Sequence, residues 1–266
     1  MADIHPTAVV SPKAALGEGV RIGPLCTVGD HVTLGAGVVL HGHVAVEGHT
    51  DIGEGVQIFP FASVGFHPQD LKYAGEPSRL TIGAKTIIRE QVTINIGTKG
   101  GGMITRVGAG CLLMIGVHIA HDCQVGDRVV MANNATLGGH VTIEDGAIIG
   151  GLSAIHQFVR IGRGAMIGGM SGVEHDVIPY GLVHGERASL QGLNLVGLKR
   201  RGTSREAIKA LRELYDTLFG EQGTLVERLE ILEQRQLPEG PASDVLSFVK
   251  VDSERFLCKP KHRHGA

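Results

Sequence analysis

The sequence predicts a mainly β chain, a solenoid of stacked hexapeptide coils followed by a small C-terminal α-helical domain. Three observations carry that prediction. An aliphatic residue recurs every six positions, in one phase, over most of the first 178 residues. The composition suits tight turns around a thin core, with 40 glycines, no tryptophan and 7 phenylalanines among 266 residues. After about residue 185 the period of six gives way to helical spacing and helix-start signals.

The frame starts at Ile4. It reads IHPTAV, VSPKAA, LGEGVR, IGPLCT and onward without a break to residue 63, then over 82–99, then from Val107 to Ile178. Position one is Ile, Leu or Val except at Met131, and position five is always Ala, Val, Thr, Ser or Cys. A period of six matches neither the 3.6 repeat of a helix nor the 2.0 repeat of a simple strand. It matches short strands alternating with turns, three hexads making one triangular coil, with position one filling the core and position five a small inward residue. An ordinary β-sandwich would not hold one phase for so long.

The frame then assigns side chains. Cys26, Cys111 and Cys123 fall in position five and read as small core residues. With Cys258 they form no CxxC pair, which argues against disulfides. The histidines inside the frame, among them His118, His121, His140 and His156, all miss the inward slots. Residues one coil apart stack at about 4.8 Å. His121, Gly139 and Gln157 therefore form a column, flanked by His140 and His156, that marks a polar stripe up one edge. The string HIAHDC (118–123) alone is open to a metal, an acid–base or a plain surface reading.

Two interruptions follow. GFHPQDLKYAGEPSRL forms an excursion loop near 65–81, in which Asp70 and Lys72 can hydrogen-bond a polar ligand. GGGMITR (100–106) lacks the Walker pattern and reads as a loop only. These features divide the chain into a solenoid over 1–186 and a helical domain over 187–266. In the latter, Thr203 and Glu206 suggest a capping box ahead of the apolar face Ile208, Leu211, Leu214 and Leu218. Thr224 and Glu227 repeat the device, SDVLSFVKV suggests a third helix, and the basic tail carrying His262 and His264 reads as frayed. The cations of LKRRG (198–202) either bind phosphate or an acidic partner, or form a solvated junction.

A net charge of −2 gives no global field for nucleic acid or an anionic membrane surface. No apolar run reaches the roughly 18 residues a membrane span needs, and the start lacks a signal-peptide pattern. A soluble, cytoplasmic protein is expected, with no nucleic-acid partner and no integral membrane association.

Several strings, in order over residues 4–202, resemble the UDP-N-acetylglucosamine O-acyltransferases of lipid A biosynthesis: FASVG, QDLKYAGEPS, LLMIGVHIAHDC, ANNATLGGHV, IIGGLSAIHQF, GGMSGV and GLNLVGLKRRG. The loop and HIAHD carry the family; the hexads carry only the wider hexapeptide acyltransferase superfamily. The resemblance implies a left-handed parallel β-helix and a homotrimer with sites in clefts between neighbouring solenoids. It implies transfer of an R-3-hydroxyacyl chain from acyl carrier protein to the glucosamine 3-position of a UDP-sugar, with no cofactor beyond the carrier's phosphopantetheine. A sugar hydroxyl attacking a thioester needs a general base, which histidine suits. Matching HIAHD gives that role to His121, with Asp122 orienting it. Gly139, stacked over His121 without a side chain, fits as the N–H donor to the oxyanion. The resemblance also implies that Gln69, Asp70 and Lys72 hold the sugar. His118, His140, His156 and Gln157 line the cleft, Gly169 lies at the far end of the acyl groove, and Asn194, Arg200 and Arg201 contact nucleotide or phosphopantetheine.

Three positions depart from the family pattern. Val196 stands where an acidic residue is common, and TINIGT places Asn95 and Ile96 where a histidine and an arginine are common. Those two bear on whether the acceptor is a 3-hydroxyl or a 3-amino sugar, the latter giving an amide. Three rivals share the solenoid. The later N-acyltransferase of the pathway carries an extra uridine-binding domain, for which repeats beginning at residue 4 leave no room. The others are an acetyl-CoA-dependent acetyltransferase and a γ-carbonic-anhydrase-like zinc enzyme using His118 and His121. The zinc reading leaves the QDLKYAGEP loop and the helical end unexplained.

Overall fold

The computed structural model describes residues 1–235 and 237–261. His262 and His264 of the tail lie outside them. The frame becomes a left-handed parallel β-helix with three faces, sheets of eleven, nine and eight strands. Most strands are two residues long, and each pairs in parallel with the strand one coil away, as Thr136 does with His118 and Ala154. Following the chain, a strand of the first sheet leads through a turn to the second, then to the third, then back to the first.

From Ile22 to Ile167 every position-one residue is buried, and so is every position-five residue from Val20 to Val177. Ile4, Val10 and Leu16 are more open because no coil stacks beneath them. The turns follow a rule of their own. Position four takes φ near +60°, filled by Gly at Gly116 and Gly146 but by Asp122, His140, Leu152, Phe158 and Met170 elsewhere. That conformation costs a non-glycine residue about 1 kcal/mol. The stacked coils hold it because the position-four N–H bonds to the coil below, as His140 N–H does to His121 O at 3.0 Å.

The interruptions differ from the sequence reading at their edges. Strands run to Phe66 and restart at Arg79, so the first loop narrows to 67–78. The stretch 100–106 is not only a loop. A short 3-10 turn (Lys99–Gly101) opens it, and Ile104–Val107 closes it as a strand of the third sheet, with Thr105 wholly buried. At the other end the first sheet continues past residue 186. Ser189–Leu193 folds back antiparallel on Gly181–His184, because an antiparallel hairpin is the short way to end a parallel stack.

Four helices follow: α1 (Leu195–Arg200), α2 (Arg205–Leu218), α3 (Leu225–Glu233) and α4 (Pro241–Lys250). Ile208, Leu211, Leu214 and Leu218 form the buried face of α2 and share one core with Leu232 of α3 and Ala242 and Val245 of α4, while Phe248 of α4 stacks under Arg160 of the solenoid. The Thr224–Glu227 capping box forms. The Thr203–Glu206 box does not. Thr203 N–H is spent closing α1 on Leu198 O, so Ser204 becomes the cap and accepts from Ala207 N–H at 3.1 Å.

The chain then returns to the solenoid. Residues 252–260 lie across its last coil, with Asp176 N–H bonded to Phe256 O and Cys258 N–H to Asp176 O. This strap covers backbone that would otherwise be an open edge.

Candidate active site

The turn between the second and third sheets carries the polar stripe. His121 sits at position three of its hexad, and its Nδ1–H donates to Asp122 Oδ2 at 2.8 Å. The Asp122 side chain is fully buried. It also accepts from Thr98 N–H at 2.9 Å and from the Thr98 hydroxyl at 2.6 Å, while its own N–H donates to Thr105 Oγ1 at 2.8 Å. Burial alone would raise the Asp122 pKa; the hydrogen bonds from His121 and Thr98 outweigh it and hold the carboxyl below the usual range. An ionised Asp122 fixes the His121 proton on Nδ1 and leaves Nε2 free to take another.

The glycines make this enclosure possible. A Cβ on Gly101 would fall on the Asp122 carboxylate, so the 3-10 turn closes over the carboxyl only with glycine there. On the open side, a Cβ at Gly139 would stand 2.7 Å from His121 Nε2 and 2.6 Å from Cε1. Among the described residues nothing accepts from the Gly139 N–H.

Two of the neighbouring imidazoles, His140 and His118, resist protonation. His140 meets His121 edge-on at 5.1 Å between ring centroids and stacks on Phe158 at 4.5 Å. Burial lowers the His140 pKa, and the charges of Asp122, Glu254 and Asp70 offset this only in part. His118, on the second sheet with Nδ1 2.7 Å from Thr93 Oγ1, has its pKa lowered by burial and by the His121 charge. His156 and Gln157 stand one coil above Gly139 and are exposed.

The 67–78 loop leaves the same corner two coils below His121. Asp70 turns the loop by accepting from Lys72 N–H at 3.0 Å, and Glu76 braces it against Lys99 N–H at 3.0 Å. Asn95 roots it, donating from Nδ2 to His67 O at 3.0 Å; its Oδ1 is buried and has no partner among the described residues. The pairing of Thr93 with His118 continues upward to place Ile96 beneath His121 and Gly97 beneath Asp122. Two of the three departures from the family pattern thus lie at the foot of the ridge. The third, Val196, is exposed on α1.

One chain gathers His118, His121, Asp122, Gly139, His140, His156 and Gln157 on one corner, with the loop bearing Gln69, Asp70 and Lys72 beside them. The other expected residues stand elsewhere. Gly169 lies at the corner between the first and second sheets, following the strand Met166–Ile167. Asn194 and Arg201 grip the third corner, through Gly164 O at 3.1 Å and Gly146 O at 2.6 Å, and Arg200 is exposed next to them. The Gly169 corner also carries an exposed apolar ridge of Leu25, Phe61, Ile115, Leu152 and Met170.

His121, Asp122 and His140 offer ligand atoms within 4.8 Å of one another. The His121–Asp122 contact is a hydrogen bond at 2.8 Å, however, and His118, the other ligand of the zinc reading, points its Nδ1 at Thr93.

Sequence reasoning missed Thr98, Thr105 and Arg255. Thr98 had a signal, since its hydroxyl fills an inward slot that elsewhere is mostly Ala or Val. Thr105 stands outside the unbroken frame. Arg255 arrives from the far end of the chain, its guanidinium 2.7 Å from His156 Nδ1.

Comparison with known proteins bears on the whole chain. The family described as UDP-N-acetylglucosamine O-acyltransferase, domain 2, matches residues 176–258, and the bacterial transferase hexapeptide repeat matches 104–139. The acyl-[acyl-carrier-protein]–UDP-N-acetylglucosamine O-acyltransferase of Rhizobium johnstonii is 47% identical over 97% of this chain and 95% of its own. That of Paracoccus denitrificans is 54% identical over 76% of this chain and 77% of its own. The crystal structure of UDP-N-acetylglucosamine O-acyltransferase from Moraxella catarrhalis superposes with a TM-score of 0.92 at 42% identity, covering 96% of this chain and 99% of that one.

Proposed function

The chain belongs to the UDP-N-acetylglucosamine O-acyltransferase family, and from that premise we propose how it works. It transfers an R-3-hydroxyacyl chain from acyl carrier protein to the 3-hydroxyl of UDP-N-acetylglucosamine, the first step of lipid A biosynthesis. The observation that carries the mechanism is the dyad of His121 and the buried, ionised Asp122, with Nε2 left open under Gly139. Nε2 takes the proton of the sugar hydroxyl as its oxygen attacks the thioester carbon. Asp122 holds the imidazole and balances its new charge. The Gly139 N–H receives the oxyanion of the tetrahedral intermediate. Collapse breaks the C–S bond, and the phosphopantetheine thiolate leaves with the proton from His121. Every step uses side chains and backbone of this protein, and we assign no metal or other cofactor to it.

The sugar sits between the ridge and the 67–78 loop, held by Asp70, Lys72 and Gln69, with His118, His140, His156 and Gln157 around it. The remaining residues reach the site through a homotrimer. A ridge with a base at one corner, an apolar stripe with Gly169 at the second and paired arginines at the third make a complete site only if neighbouring chains meet corner to corner. A three-fold ring closes that head-to-tail contact. The acyl chain lies along the apolar stripe, its length measured in coils toward Gly169, and Asn194, Arg200 and Arg201 bind phosphate. A carrier protein and a nucleotide sugar as substrates favour a cytoplasmic reaction; among the described residues no helix is long and apolar enough to cross a membrane.

A panel of R-3-hydroxyacyl carrier proteins of graded length, offered with UDP-N-acetylglucosamine or its 3-amino analogue and read by product mass, tests this. An ester on the 3-hydroxyl is expected. An amide formed only with the amino sugar would reassign the acceptor, and no product from either would remove the function.

A further inference from the structure

The strap over the last coil does more than close an edge. Asp176, fully buried, accepts from Arg160 N–H at 2.8 Å, from Arg160 Nε at 2.7 Å and from the Ser253 hydroxyl at 2.7 Å. Ser253 Oγ in turn accepts from Arg255 N–H at 3.2 Å, a local turn that aims the next side chain at the ridge. The Arg255 fork then spans two acceptors: Nε–H donates to Gln157 O at 3.0 Å and Nη2 approaches His156 Nδ1 at 2.7 Å. Glu254, its neighbour, acts electrostatically on His140. The far end of the chain is thus built into the wall of the His121 ridge.

A guanidinium stays charged and can only donate. The ring nitrogen facing it must therefore accept, which puts the single proton of His156 on Nε2. The Gln157 carbonyl lies farther from the same Nδ1, at 3.2 Å, and a proton on Nδ1 would set two N–H donors against each other across the 2.7 Å contact with Arg255.

We propose that Arg255 is a positioning residue, locking His156 as its Nε2–H tautomer and so keeping a fixed hydrogen-bond donor at the upper end of the ridge for the polar part of the acyl acceptor or donor. Free His156, exposed on the solenoid, would exchange tautomers and swing. The role rests on the acyl-transfer reading only for its consequence; the tautomer follows from the contacts alone.

The full-length protein with 15N-labelled imidazoles would be examined by solid-state NMR above neutral pH, His156 signals being found by subtracting the His156→Gln spectrum. A bare Nδ1 and protonated Nε2 are expected in the wild type, and mixed tautomers in Arg255→Ala and Arg255→Gln. In acyl transfer, Arg255→Ala should lose roughly tenfold in kcat/KM. Arg255→Lys, which still donates to Nδ1, should recover part of it, and Arg255→Ala should add nothing in a His156→Gln background. Mixed tautomers in the wild type, an unchanged His156 spectrum in both Arg255 variants, or additive losses in the double variant would each overturn the proposal. A wild type without acyl transfer but with the locked tautomer would leave Arg255's action on His156 standing and strike the functional reading instead.

Discussion

His121 has one open side, and its surroundings decide what that side can do. Asp122 holds Nδ1, and Gly139 leaves Nε2 uncovered. Gly139→Ala keeps an allowed backbone, since φ there is not positive, yet its methyl would press on the imidazole. We expect a loss of about 10²-fold in kcat, the scale of a displaced base or a blocked oxyanion donor, with unchanged circular dichroism; near-normal activity would remove Gly139 from the mechanism. The flanking histidines make a second prediction. Burial lowers the folded pKa of His118 and His140, so below about pH 6.5 the unfolded chain takes up protons that the folded one resists. Their contribution to stability is whole above that pH and fades as pH falls toward the folded values. The drop in urea midpoint between pH 7.5 and 5.5 should shrink in His140→Gln; an unaltered drop would mean that His140 titrates as if exposed. At this scale the sequence carried much of the site but not its support. HIAHD and the 18-residue column placed His121 under Gly139, whereas the Thr98 and Thr105 hydroxyls that enclose Asp122 come from coils joined through a loop the frame could not count across.

Elements were legible where their signal is periodic. One aliphatic phase named the core from Ile22 to Ile167, because stacked coils leave position one nowhere else to go. Boundaries depended on what neighbouring elements consume, which no local pattern records. Thr203 looked like the start of a capping box and is not, since its N–H already bonds to Leu198 O and the Ser204 hydroxyl caps α2 in its place. Ser204→Ala should therefore cost about 1 kcal/mol in urea denaturation, whereas Thr203→Ala loses no capping bond; the reverse ranking would restore the cap the sequence suggested. The GGGMITR stretch makes the same point. It read as a loop only, yet a Cβ at its Gly101 would fall on the Asp122 carboxylate that the turn closes over.

At the scale of the whole molecule, three corners carry the three parts of the site we propose, and the proposed trimer is what brings them together. The apolar ridge at the Gly169 corner and the basic third corner are readable in one chain; that they face another chain's His121 follows from the three-fold arrangement we propose. Mixing tests it. His121→Ala homotrimers lack the base, and Gly169→Met homotrimers have a shortened groove that rejects long acyl donors. Trimers reassembled from an equal mixture should recover roughly a quarter of wild-type activity on a long donor, because random assembly pairs an intact ridge with an intact groove that often. No recovery would mean that each chain holds its own complete site. The most direct test of the account is the rate of 3-O-acylation of UDP-N-acetylglucosamine by the wild type and by His121→Ala, with product identified by mass. The account predicts an ester from the wild type and a loss of at least roughly 10²-fold in the variant, with folding intact; a His121→Ala enzyme as fast as the wild type would contradict it.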